Sequence, residues 1–180
     1  SEGHDIAGFG YAKKIESTDD LMEKLRKDEK YQVDTRAYVR ARLFDIMIGD
    51  WDRHNDQWRW AQFDDEKGGK VLKPIPRDRD QPFSIMGDGT LMGFATKTIP
   101  SLKLFEGFHE EIRNLKGFTS SPKTFALDMA LLSETTMNEW EEEARFIQKN
   151  IDGAVIDEAF LEFPEEVRDE TIDHLKKVLL

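Results

Sequence analysis

Between positions 35 and 48 the apolar residues Val39, Leu43, Ile46 and Met47 recur at helical spacing. Ala37, Ala41, Phe44 and Ile48 fill most of the remaining faces. A helix apolar on nearly every side belongs in a domain interior. Asp34 or Thr35 supplies the capping residue that opens it, and it should run to about Gly49. Ahead of it, Ser17 or Thr18 caps a shorter helix with Asp19 and Asp20 in its first turn, where carboxylates suit the positive end of the dipole. Leu21, Met22 and Leu25 give that helix a single apolar stripe. The residues up to about Ile15 carry three glycines and little pattern, and read as a flexible lead-in over 1–15.

After Gln57 the period shortens to that of strands. Trp58 to Phe63 and Lys70 to Ile75 read as two strands, and the polar run Asp64 to Gly69 turns one into the other as a hairpin. Residues 84–108 are glycine-rich and irregular around Pro100, which predicts a long surface loop. Ser121-Pro122 places a cap before a first-turn proline and opens a helix through Leu132. Thr136 and Glu139 fit a capping box, followed by Met137, Trp140, Ala144, Ile147 and Ile151 on one face. Pro164 is expected to start the last helix, which ends in Lys176-Lys177. The expected fold is α+β, a mainly α domain with a small β-hairpin. It forms one domain over 1–180, with its core at 33–86 and a helical remainder at 109–180.

Composition narrows the classes. The 180 residues include 12 Phe and four Trp, ample material for a core, and a chain of this length buries roughly 70% of its unfolded surface. No apolar run is long enough to cross a membrane, and none has the form of a signal peptide. The chain has no cysteine, which excludes disulfides and thiolate metal sites. The net charge of −11 argues against a nucleic-acid partner, because such binding draws on counterion release by Lys and Arg. From Glu139 onwards there are 13 acids against five bases, so the acidity is concentrated in the last quarter.

The remaining chemistry gathers around the hairpin. Asp50, Asp52, Asp56, Asp64, Asp65, Asp78 and Asp80 all lie close to its two ends. A hairpin folds its outer ends together, so Asp52 to Gln57 and Asp78 to Asp80 should be neighbours, while Asp64 and Asp65 go to the far tip as turn residues. Carboxylates converging beside an amide make a hard-oxygen site suited to Mg²⁺ or Mn²⁺. Arg53, Arg77 and Arg79 could meet either phosphate or these aspartates. Trp51, Trp58 and Trp60 fit core and wall better than a base-stacking surface.

The run Trp51-Asp52-Arg53-His54-Asn55-Asp56-Gln57-Trp58, then a hairpin, then Asp78-Arg79-Asp80-Gln81-Pro82-Phe83-Ser84, resembles the catalytic half of the protein-kinase-like superfamily. The resemblance is strongest to atypical branches: the type II phosphatidylinositol 4-kinases, the HipA-like kinases, the spore-coat CotH kinases and related secretory kinases. It covers about residues 33–86. It implies Asp52 as the catalytic-loop aspartate that orients an acceptor hydroxyl and takes its proton. Gln57 stands where the family has a metal-binding Asn, Asp78 is the chief metal ligand and Asp80 an accessory. Arg53 and His54 fall where the cofactor would be met. Mg²⁺ or Mn²⁺ and ATP are the implied cofactors, and an unidentified hydroxyl compound is the phosphate acceptor.

The sequence departs from the family at Gln57, at Ser84 in place of Gly, and in showing no nucleotide-binding N-lobe beyond a faint Gly8-Phe9-Gly10 and Lys13. The chain therefore reads as a C-lobe belonging to a longer protein. Gly49 to His54 and Arg77 to Gln81 are also similar to stretches of large bacterial envelope proteins, which implies further domains and envelope association through a parent. Two other readings use the same residues: an inactive kinase-like binding module, and a phosphoester hydrolase that draws on two metal ions.

Overall fold

The structure, a computed structural model, describes residues 10–50, 53–79, 82–83, 108, 112, 122–165, 168 and 170–180. Helix α1 (Thr18–Lys27) begins as the pattern predicts. The Ser17 hydroxyl accepts the Asp20 N–H at 3.1 Å, and the Asp20 carboxylate reaches back to Ser17, a reciprocal capping box. Helix α2 (Thr35–Met47) is capped by Asp34, whose carboxylate accepts the Ala37 N–H at 2.9 Å.

The hairpin is present as β3 (Trp58–Asp64) and β4 (Lys70–Pro76), antiparallel from Trp58 opposite Pro76 to Asp64 opposite Lys70. It is the middle of a larger sheet. Strand β1 (Lys14–Glu16) pairs antiparallel with β3, and β2 (Tyr31–Val33) pairs parallel with β4, giving the order β1-β3-β4-β2. The flanking strands have three residues each, too few for alternation to register in the sequence. Lys14 and Ile15 thus belong to a sheet, although the sequence placed them in the lead-in, and Ala12 just ahead of them is fully buried.

The other helices among the described residues are α3 (Pro122–Leu132), α4 (Met137–Asn150), α5 (Gly153–Phe160) and α6 (Glu170–Leu179). The Thr136 capping box forms as expected, with the Thr136 hydroxyl accepting the Glu139 N–H at 3.3 Å. Helix α5 was not foreseen: Asp152 caps it by accepting the Val155 N–H, and its eight residues give a short pattern. The last helix opens at Glu170 and not at Pro164, which lies outside helix among the described residues. Of the expected loop at 84–108 only Phe108 lies within the described residues.

One face of the sheet carries the main core. Leu21, Tyr38, Trp58, Trp60, Leu72 and Leu127 bury each other completely or nearly so. Tyr38 meets Trp58 edge-on at 4.9 Å between ring centroids, and Trp58 and Trp60 lie 6.2 Å apart. Both tryptophans are core, as the sequence favoured. A second cluster joins Phe108, Ile156, Phe160, Ile172 and Leu175, with Phe83 packed against it.

Helix α2 is enclosed, yet its most buried positions include Arg42 and Asp45 as well as Tyr38 and Val39. A polar face, and not the apolar stripe alone, points to the centre. Ion pairs also fasten α2 to α4: Arg36 Nε and Arg40 Nε each donate to Glu143 at 2.7 Å, and Arg36 Nη2 donates to Glu142 at 2.7 Å. Glu143 is only 2% exposed. Its burial works against the charge, but the hydrogen bonds from Arg40 and Arg36 outweigh it and hold the carboxyl below the ordinary glutamate range.

That depression fixes a pH dependence. The contribution of Glu143 is complete above the ordinary value of 4.5 and is lost as pH falls below it through the folded-state value. Glu143→Gln should lower stability by about 1–2 kcal/mol at neutral pH. The difference from wild type should shrink toward about pH 3. Urea titrations at both pH values check this, and a difference unchanged by acid would show that the charge of Glu143 does not contribute.

Candidate functional site

Helix α2 delivers the chain into the first loop through a specific stop. Gly49, at φ 70°, takes the left-handed conformation; its N–H bonds the Ile46 carbonyl, and the Asp50 N–H bonds the Asp45 carbonyl at 2.8 Å. This pair of bonds is a Schellman motif, which glycine permits and other residues resist. It folds Asp50 back beside Asp45, and both side chains have no exposed surface.

Arg53 enters between them, itself 0% exposed. Its Nη2 donates to Asp50 Oδ2 at 2.6 Å and to Asp45 Oδ1 at 3.1 Å, and its Nη1 donates to the Arg77 carbonyl. Asp45 is shared further. It accepts from Arg42 Nη1 at 3.3 Å and from Arg79 Nε and Nη2 at 3.2 and 3.0 Å. Arg42 continues outward to Asp128 on α3 at 3.1 Å, and Asp128 accepts the Tyr38 hydroxyl at 2.7 Å. Burial, reinforced by the neighbouring Asp128 charge, pushes the Tyr38 hydroxyl far above its ordinary range, so it stays a neutral donor.

The outer ends of the hairpin do meet. The Arg77 N–H bonds the Gln57 carbonyl at 2.8 Å, extending the β3–β4 ladder beyond Trp58 and Pro76. Farther on, the Phe83 N–H bonds the Ile48 carbonyl at 2.9 Å, returning the second segment to the end of α2. The segment between carries Asp78, exposed and at φ 53°, a left-handed conformation that Asp tolerates better than most residues.

The individual candidates fare differently. Asp78 presents an open carboxylate. Gln57 is 4% exposed, and its amide oxygen accepts the His54 N–H at 3.2 Å, closing the 3-10 turn Asn55–Gln57. His54 is partly exposed, with Nδ1 3.9 Å from Asp56. Arg53 faces inward to Asp45, Asp50 and Arg77 and offers no exposed surface to a cofactor, and Arg79 likewise pairs with an aspartate. Asp64 and Asp65 sit at the hairpin tip, where Asp64 pairs with Lys70, as expected of turn residues. Asn55 is held through its carbonyl, which accepts the Thr18 hydroxyl at 2.8 Å; that hydroxyl in turn accepts the Trp60 indole N–H. Asp52, Asp80 and Trp51 lie outside the described residues.

Sequence reading passed over Asp45. The available signal was an Arg42–Asp45 pair, three residues apart, inside a helix otherwise apolar at its inner positions. Charges there require internal partners, and Arg53 and Arg79, already expected to meet phosphate or aspartate, are cations that could supply them.

As to a divalent ion, the Asp78 carboxylate has the right chemistry, a hard, ionisable and accessible oxygen donor. The Gln57 amide would have to leave the His54 N–H to join it. Among the described residues no three His, Asp or Glu side chains converge as a metal site. No protein-family model matches the chain, and no curated protein or solved structure matches it significantly.

Two stability tests follow from this geometry. Arg53→Met removes the cation shared by two buried carboxylates and should cost about 3–5 kcal/mol in urea denaturation. A loss below about 1 kcal/mol would mean that the acids find other partners. Gly68→Ala, at φ 83° with nothing within 4 Å of the added carbon, carries only a backbone cost, about 1 kcal/mol. Gly49→Ala should cost more in the same assay, because its Cβ would also stand 3.1 Å from the Phe108 ring.

Proposed function

We propose that the segments at 53–57 and 77–83, together with Asp52, form a kinase-like phosphotransfer site. The supporting observation is the backbone junction at the hairpin base, Arg77 N–H to Gln57 carbonyl at 2.8 Å, with Asp78 exposed immediately after it. Phosphoryl transfer needs little covalent chemistry from a protein, only a positioned acceptor and neutralised phosphate charge. In this reading Asp52 orients the acceptor hydroxyl and takes its proton. Asp78, with Asp80 as accessory, would hold Mg²⁺ or Mn²⁺ carrying ATP, and the ion would supply the charge neutralisation. Arg53 acts from inside, fixing the loop that carries Asp52. His54, partly exposed on the same loop, would be the residue of this segment that meets the nucleotide.

A second reading has its own support. Gln57 and Arg53, two groups the family resemblance assigns to metal and cofactor, are engaged internally by His54, Asp45 and Asp50. A lobe that keeps the junction while its ligand groups turn inward suits a kinase-like module that binds partners without transferring phosphate.

Calorimetric titration of Mn²⁺, with and without ATP, separates them. The active reading expects heat in wild type, its loss in Asp78→Ala, and retention in Asp52→Asn. Asp52→Asn should also abolish transfer of label from γ-phosphate-labelled ATP while leaving the unfolding midpoint in place. No heat in wild type, or equal heat in Asp78→Ala, overturns the metal site. Metal binding without any transfer leaves the module reading.

A further inference from the structure

Three arginines from three parts of the chain converge on one carboxylate that has no exposed surface. Arg42 comes from the preceding turn of α2, Arg53 from the loop after it, and Arg79 from the segment after β4. Arg53 and Arg79 meet at the same oxygen: Asp45 Oδ1 accepts Arg53 Nη2 at 3.1 Å and Arg79 Nε and Nη2 at 3.2 and 3.0 Å. Oδ2 takes Arg42 and faces Arg53 Nε at 3.1 Å. Two like-charged guanidinium groups so close together are held by the shared acid between them, with Asp50 also balancing Arg53.

The three contacts are not equivalent. Arg42 and Arg53 are 3% and 0% exposed and form a fixed base with α2. Arg79 is 28% exposed and lies over the Phe44 ring at 4.8 Å, so it is the limb that can release. It is also the residue directly after Asp78.

We propose that Asp45 is the positioning residue of the candidate site. Through Arg79 it sets the backbone that presents Asp78, and through Arg53 it sets the loop that leads out of Asp52, so one buried oxygen keeps both segments in register. The assignment of a metal to Asp78 rests on the phosphotransfer reading; the tether itself does not. The geometry gives Asp45 no contact with substrate, and its effect on chemistry is indirect.

Asp45 is too buried to be the first residue changed, so the test releases the outer limb. Hydrogen–deuterium exchange is measured on wild type, Arg79→Met and Arg79→Lys, and Mn²⁺ affinity is measured by calorimetry on the same proteins. In Arg79→Met the Arg77 and Phe83 amides should exchange about tenfold faster or more. The Gln57 amide should accelerate with them, because the loops share one acceptor, while amides of α2 and α4 stay unchanged. Arg79→Lys should restore part of the protection. Mn²⁺ binding should weaken about 10–100-fold in Arg79→Met, as for loss of a group that orients a ligand.

Unchanged exchange at Arg77 and Phe83 overturns the tether. Acceleration confined to 77–83, with Gln57 unaffected, overturns the coupling of the two loops. Faster exchange with Mn²⁺ affinity intact reduces Asp45 to a purely structural anchor and overturns its positioning role. Should wild type bind no Mn²⁺, the metal reading of Asp78 falls, and the exchange pattern alone still decides the tether.

Discussion

The carboxylate of Asp45 sits at full burial, and three guanidinium groups donate to it or flank it there. An ionised acid withdrawn from water is stable only where hydrogen-bonded cations replace its hydration. Here one cation comes from the same helix, one from the loop that leaves it and one from the segment beyond the hairpin 34 residues on, so satisfying one charge obliges the three to meet. The central helix, the loop that leaves it and the segment beyond the hairpin are thereby held together by electrostatics where apolar packing would tolerate sliding. The Schellman stop at Gly49 serves the same end, since it turns Asp50 back onto the same arginine.

Much of this arrangement could be read from the residues alone. Capping chemistry at Ser17, Asp34 and Thr136 is local, and the three helix starts fell where those side chains stand. The hairpin was legible because one short run with Trp58 and Trp60 at alternating positions and another carrying Val71, Leu72 and Ile75 flank a polar turn ending in Gly68-Gly69. What escaped was set at long range. Strands β1 and β2 are ordered by partners they find in β3 and β4, and Asp152 opens a helix too short to show its period. The inward polar face of α2 escaped for a related reason. Arg42 and Asp45 look like surface residues until Arg53, Arg79 and Asp128 are known to arrive from elsewhere.

The same distinction runs through the candidate site. That the two loops would be neighbours followed from the hairpin, and the Arg77–Gln57 backbone bond joins them at its base. Which way the side chains would turn did not follow. Gln57 and Arg53 carry groups equally able to face a ligand or the interior, and the interior offered a backbone amide to one and two buried acids to the other. Asp78 is exposed, on a left-handed backbone conformation just past the strand it follows. Arginines that would draw phosphate in an open loop are in this fold part of the framework beneath it.

The sheet order implies a sequence of assembly. Strands β3 and β4 are joined by a short turn, and hairpins of that kind close within microseconds. Strand β2 must find β4 across the 38 residues between Tyr31 and Lys70, and β1 must find β3 across the 47 between Lys14 and Gln62. Loop-closure entropy delays such distant pairings until the partner strand already exists. The ribbon at the centre is therefore the template on which the two short outer strands dock.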